Sequence, residues 1–378
     1  MPDVIQVLAD LVAIPSVNPM GRDLRGPEFG EARVAEYVLD FFQKHAVATQ
    51  RQIVCPGREN ILAHVPGARS DISILLETHM DTVRADGMVI EPFDPVQKDG
   101  KLYGRGACDA KASLAAMMVA VAEAAQRGAG VDVWLCAAVD EEFTFGGAAH
   151  LVASGFRADY VVVGEPTKLQ VVTAHKGTVR WTVTTSGKAA HAATPWEGEN
   201  AIYKMAAVVQ ALHRYAKLVQ DQPGHPRLGP RTLNVGTIEG GRTVNTVPDW
   251  CQIRVDRRVL PGEALGEVSA SLGQYLSDEG LAEQVEITEI LRDPPMELPD
   301  DSAWAQAVVA AAQDIAPTST CAVHYGTDAS KFAEAGMPAV VLGPGDIAQA
   351  HTSEEWVELE QVETARRIFR RLLTAPAV

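Results

Sequence analysis

The sequence predicts an α/β protein: a mostly parallel sheet with helices on both faces, carrying an inserted, smaller α+β domain of ferredoxin-like order. Two observations lead there. In the first and last parts of the chain, short apolar runs alternate with helical stretches, the rhythm of βαβ units. Between those parts the order changes to β-α-β-β-α-β, the split βαβ arrangement of ferredoxin-like sandwiches.

Each element has its own signal. The opening stretch MPDVIQVLADLVAIPSVNPMG reads as an amphipathic helix ended by Pro15. It lacks a basic start and carries Asp3 and Asp10 inside its apolar pattern, so it does not read as a signal peptide. Residues 31–44 place Val34, Val38, Leu39 and Phe42 at helical spacing. Residues 72–77 (ISILLE) make an apolar run as long as a buried parallel strand. Residues 111–125, rich in Ala, Met and Val without a breaker, form a helix. Residues 131–139 (VDVWLCAAV) are a second buried strand, 147–154 a short helix and 159–163 (DYVVV) a third strand.

The rhythm then changes. Residues 178–185 alternate as a strand, 201–218 are a long helix, and 232–238 and 252–259 are strands. A helix at 263–276 and a strand at 284–290 complete the inserted domain. The α/β pattern resumes with a helix at 300–315, a strand at 339–342 and a helix at 360–373. With joints near Lys176 and Arg292, the expected division is 1–176 and 292–378 for the larger domain and 177–291 for the insertion.

Composition bounds the function. The 378 residues suffice for about two domains, and 47% hydrophobic with 22% charged residues is ordinary globular usage. Thirty-three basic against 49 acidic residues leave a formal charge of −16, which disfavours nucleic acid and anionic membranes as partners. No apolar run approaches the ~18 residues of a membrane span. Five scattered cysteines without a CxxC exclude a disulfide framework or a cysteine-rich zinc site. A soluble cytoplasmic protein is expected.

The chemistry gathers where strands end, the place where open α/β sheets bind ligands. His79-Met80-Asp81 follows the strand at 72–77; alone, such a pair is a weak signal. Asp109 precedes the helix at 111–125 and could equally be its N-cap. Asp140-Glu141-Glu142 follows the strand at 131–139, and three adjacent carboxylates repel one another unless solvated or met by a cation. Glu165 follows the strand at 159–163, and His351 lies between the last strand and the last helix. The set says more than its members. Histidines and carboxylates without cysteine suit zinc or a related divalent ion. Five ligands exceed one catalytic zinc but fit two ions about 3.5–4 Å apart that share a carboxylate.

Nine motifs, THMDT (78–82), YGRGACDAKASLAAM (103–117), DEE (140–142), GEP (164–166), GKAAHAATP (187–195), NTVPD (245–249), DRRVLPGE (256–263), GTDA (326–329) and AHTSEEW (350–356), carry a resemblance. In this order, from IPSVNP (14–19) to the closing helix, the chain resembles the zinc amidohydrolase/peptidase family. That family includes acetylornithine deacetylase, succinyl-diaminopimelate desuccinylase, aminoacylase and carboxypeptidase G. The resemblance implies a zinc-exopeptidase-like catalytic domain whose insertion is a lid that also makes a homodimer.

It also implies two zinc ions, for which cobalt or manganese can substitute. Asp109 would bridge them, with His79 and Glu165 on one and Glu142 and His351 on the other. Asp81 would orient His79, and Glu141 would be the general base. His191 would stabilise the oxyanion, Asn245 and Arg258 would bind the substrate, and Thr327 and Gly343 would line the cleft beside Gly345. Arg258 is preferred to Arg257 for its spacing to Pro261. Cys108, beside Asp109, departs from the small or hydroxyl residues usual there and suggests sensitivity to oxidation; Ala110 and Ala112 depart too, without a readable consequence. The expected activity is hydrolysis of the amide of a small N-acyl amino acid. An exopeptidase of the same family acting on a short peptide is the alternative, and a non-catalytic binding protein on this fold a remote one.

Overall fold

The structure, a computed structural model, describes residues 2–374. By internal contacts the chain divides into two compact units. Unit 1 comprises residues 1–173, 297–322 and 327–378; unit 2 comprises residues 174–296 and 323–326.

Unit 1 is built on a large sheet, nine-stranded among the described residues. Four neighbouring strands at its centre, Ala129–Ala138, Gly67–His79, Tyr160–Val163 and Ala339–Val341, run parallel. Their cores are apolar because helices cover both faces. The outer strands depart from the expected pattern: Ala48–Cys55 and Arg58–Val65 form an antiparallel hairpin, and the second of these pairs antiparallel with Ala129–Ala138. No strand is predicted between residues 44 and 72 from the sequence. The outer member is mostly exposed and polar, so it lacks the apolar run that marks a buried strand.

The helix Lys111–Arg127 is buried on every side from Lys111 to Ala124. Such a helix belongs in a core, and its alanines allow the first helix, Val4–Val12, and the closing helix, Leu359–Thr374, to pack against it. Asp3 caps the first helix by accepting from the Ile5 N–H at 2.9 Å. The closing helix buries Val362, Ala365, Ile368, Phe369, Leu372 and Leu373 on one stripe. No described helix is long and apolar enough to cross a membrane.

Unit 2 has the order strand Gly177–Ser186, helix Ala201–Gln220, strands Thr232–Gly240 and Trp250–Val259, helix Leu265–Asp278 and strand Val285–Asp293. Gly177–Ser186 sits between Trp250–Val259 and Val285–Asp293, antiparallel to both, while Thr232–Gly240 forms an edge. This is the ferredoxin-like arrangement. Alternate residues Val179, Trp181 and Val183 join Met205, Leu212 and Leu272 in one core, as a sheet covered on one face requires.

Candidate metal centre

Five of the residues singled out as ligands converge in unit 1. His79 is the last residue of Gly67–His79, and Glu141 and Glu142 open a short helix just beyond Ala129–Ala138. Glu165 lies two residues beyond Tyr160–Val163, and Asp109 precedes Lys111–Arg127 across a cis peptide bond to Ala110. His351 stands on a turn after the 3-10 helix Ile347–Gln349. Parallel strands deliver their carboxyl ends to one edge, which brings His79, Glu141, Glu142 and Glu165 together, and the loops bearing Asp109 and His351 reach the same place.

Two groups that could hold metal ions result: His79, Glu141 and Glu165, and Asp109, Glu142 and His351. Asp109 divides its oxygens between them. Its Oδ1 lies 3.2 Å from His79 Nε2 and its Oδ2 3.2 Å from His351 Nε2. Glu165 approaches His79 Nε2 at 3.7 Å, and Glu142 approaches His351 Nε2 at 3.3 Å. By position alone Glu141 is as close to His79 and Glu165 as a ligand would be.

Asp81 does more than its expected task, and does that task indirectly. His79 Nδ1 donates to the Asp81 backbone carbonyl at 2.9 Å, while the Asp81 carboxylate stands 3.6 Å away. Because a carbonyl only accepts, Nδ1 carries the hydrogen and Nε2 is the nitrogen left to ligate a cation. The Asp81 carboxylate instead accepts the N–H groups of Glu141 and Glu142, each at 3.2 Å, so it places both acids. Asn18 donates to Asp81 at 2.7 Å and to Asp140 at 2.9 Å. Asp140, in the left-handed region at φ 67°, also takes Arg58 at 2.7 Å, and Arg58 pairs with buried Glu31. Asn18, Arg58 and Glu31 were missed from sequence; only Asn18 lies in a quoted motif.

The electrostatics call for cations. Burial pushes the carboxyls of Glu141, Glu142 and Glu165 up, and neighbouring acids push further. Burial also opposes ionisation of Asp109, yet hydrogen bonds from His351 and His79 outweigh it and hold this carboxyl below its ordinary range. Hydrogen bonds to Asp109 and Glu142 raise His351 to about 10. Burial disfavours charge on His79, but Asp109 and Asp81 raise it well above the usual value. Glu142 Oε1 is buried without a hydrogen-bond partner, an orphaned acceptor on a carboxylate whose other oxygen faces His351. The donor set and the orphan fit divalent cations.

Protons and cations compete for these groups, because ligands bind unprotonated. With His351 at about 10, a cation arriving at lower pH must displace its proton. Affinity rises with pH, about tenfold per unit for each proton displaced. Calorimetric titration of metal-stripped protein with zinc from about pH 6 to 8 should show that rise with proton release; a pH-independent affinity would contradict it.

The remaining predicted residues fall as follows. Thr327 is buried, and its Oγ1 accepts from the Ala329 N–H at 3.2 Å. Gly343 is buried against Glu165, where a Cβ would collide with the Glu165 carbonyl and Ser113 Oγ. A Cβ on Gly345, at φ 94°, would strike Cys108 Sγ. Cys108 itself is buried, and burial with nearby acids pushes its thiol up, away from the exposed thiolate that oxidation favours.

In unit 2, the His191 and Asn245 segments lie together, Ala192 N–H donating to Asn245 O at 3.0 Å. His191 Nδ1 accepts from Ala193 N–H at 3.1 Å, which leaves its Nε2 as the donor of the neutral ring. Arg257 is buried and paired with Glu263 at 2.8 Å, whereas Arg258 is partly exposed beside Asp256 at 2.7 Å.

Residues 75–375 match the description peptidase family M20/M25/M40. The chain belongs to that family. It is accordingly a hydrolase of amide bonds. It is 34% identical over 319 residues to an acetylornithine deacetylase of Myxococcus xanthus, covering 82% of each chain. It is 29% identical to an acetylornithine deacetylase of Proteus mirabilis (strain HI4320), over 99% of this chain and 96% of that one. A solved M20 family metallo-carboxypeptidase, Sso-CP2 of Sulfolobus solfataricus, shares the fold with a TM-score of 0.83 at 18% identity, covering 98% of each chain. A tripeptidase of Staphylococcus aureus does so at 0.77 and 22%, covering 98% of this chain and 96% of that one.

Proposed function

We propose that this hydrolase removes the acyl group of a small N-acyl amino acid, as acetylornithine deacetylases do, with two zinc ions held by His79, Asp109, Glu142, Glu165 and His351. The observation that carries this reading is the division of the two Asp109 oxygens between His79 and His351. In the proposed assignment Asp109 is shared, His79 and Glu165 complete one sphere, and Glu142 and His351 the other. When bound, such ions act as Lewis acids that polarise the amide carbonyl and lower the pKa of water.

The chain's own residues do the rest. Glu141 is the proposed proton carrier: it takes a proton from the attacking water and passes it to the leaving amine. Burial opposes the charge on its carboxyl, which favours taking up a proton compared with an exposed glutamate. Asp81 holds the turn that aims Glu141. In the inserted unit, His191 is assigned to the developing oxyanion, a role supported by its Nε2 donor. Arg258 and Asn245 are assigned to the carboxylate of the amino acid, for which a guanidinium fork is suited. Thr327 and Gly343 shape the cleft through the backbone they pack.

We infer a homodimer formed through the inserted unit, supported by its exposed apolar residues Trp196, Tyr203, Ile238 and Val244 and the edge strand Thr232–Gly240. A cytoplasmic location is supported by the five free cysteines. The test of the substrate is turnover of N-acetylornithine and N-succinyl-diaminopimelate beside a panel of dipeptides, with zinc or cobalt added. Acyl amino acids should be cleaved faster; turnover confined to peptides would replace deacylation by exopeptidase action.

A further inference from the structure

Two of the three residues in the Asp109, Glu142 and His351 group come from loops, not from strand ends. The His351 side chain is 54% exposed, and its backbone is in the left-handed region at φ 59°. Packing therefore does little to hold it. Asp109 lies on the loop that leaves the strand Lys101–Tyr103. Something must fix the two loops to one another, since a metal site tolerates errors of only about 0.5 Å in its ligands.

Glu355 is placed to do this. It is wholly buried, four residues beyond His351. Its Oε1 accepts the N–H of Cys108 at 2.9 Å and of Asp109 at 3.0 Å. Its Oε2 pairs with Arg105 Nη1 at 2.6 Å, and its own carbonyl accepts the Gly104 N–H at 3.0 Å. Arg105 closes the circuit: it is buried, and its Nη2 donates to the carbonyl of Thr352, the residue after His351, at 3.2 Å. Every polar atom named here ties the segment 104–109 to the segment 352–355. The strands on either side, Lys101–Tyr103 and Trp356–Glu358, pair antiparallel and continue the lacing.

A buried ion pair is a weak source of stability, since apolar replacements of similar volume are often as stable. Its use is more readily explained by geometry. We propose that Glu355, held by Arg105, is a positioning residue that fixes Asp109 relative to His351 and thereby sets the affinity of the cation bound by Asp109, Glu142 and His351. This rests on the dinuclear reading above. Outer partners of metal ligands typically govern affinity by about 10- to 100-fold.

The experiment titrates metal-stripped, full-length protein with zinc against a chromophoric chelator, with thermal unfolding measured alongside. Glu355→Gln and Arg105→Lys should each weaken the ion beside Glu142 and His351 by about 10- to 100-fold, and the ion beside His79 and Glu165, which shares Asp109, by a clearly smaller factor. Arg105→Lys keeps the charge and guards against a misfolded Glu355→Gln. Added to His351→Ala, Glu355→Gln should weaken the remaining ion only by the smaller factor; added to Glu165→Ala, it should weaken the remaining ion by the larger one. Equal weakening of both ions, or a lower unfolding midpoint with both ions held as in the wild type, would mean a purely structural role and overturn the proposal. If the wild type itself takes fewer than two ions, the dinuclear reading fails, and the proposal with it.

Discussion

Glu141→Gln is expected to lower kcat by about a hundred- to ten-thousand-fold while zinc binding stays near that of the wild type. The glutamine keeps the volume and the contacts of a half-buried side chain, and it cannot carry a proton. The backbone N–H that Asp81 accepts is untouched by the change, so the turn bearing Glu142 stays in place. The loss should therefore fall on kcat, with KM nearly constant, the pattern of an interaction made only in the transition state. Because Glu141 is also close enough to His79 and Glu165 to act as a ligand, metal content decides between the roles. A variant that loses an ion together with its activity would move Glu141 from proton carrier to ligand.

Asp109→Ala should be more severe, because a single carboxylate serves both groups. It removes the oxygen 3.2 Å from each imidazole. Both ions should be lost at working concentrations of zinc, and turnover with them. The metal-stripped protein offers an independent reading. The hydrogen bond to Asp109 is the largest cause holding His351 at about 10. Without it the His351 titration should move down toward the ordinary histidine range of about 6.5, which NMR titration of the ring would follow. A variant that binds two ions as tightly as the wild type would contradict a shared Asp109.

Much of this architecture is legible in the sequence for a simple physical reason. Parallel strands covered on both faces must be apolar throughout, so 72–77, 131–139 and 159–163 stand out as runs. The polar residues after them are then conspicuous. The alternation in 178–185 is legible for the complementary reason, since only one face of that sheet is covered by helices. The hairpin Ala48–Cys55 and Arg58–Val65 escaped because its outer strand faces solvent and needs no apolar pattern. The network behind the site escaped for another reason. Asn18 meets Asp81 and Asp140 across 63 and 122 residues, and Arg105 meets Glu355 across 250, with no periodicity to announce the pairing. Gly343 is buried where Glu165 and Ser113 leave no room for a side chain, a constraint that no pattern in the sequence displays. Lys111 is similar: wholly buried, it donates to the carbonyls of Leu11 and Ile14 at 3.0 and 2.7 Å, closing the first helix, and burial lowers it to about 7.

The central claim is that one aspartate joins two cation sites at the carboxyl ends of a parallel sheet. Anomalous diffraction at the zinc edge from crystals grown with excess zinc measures this directly. Two peaks about 3.5–4 Å apart with Asp109 between them, one beside His79 and Glu165 and the other beside Glu142 and His351, are the expected result. A single peak, or two peaks that do not share Asp109, would contradict it.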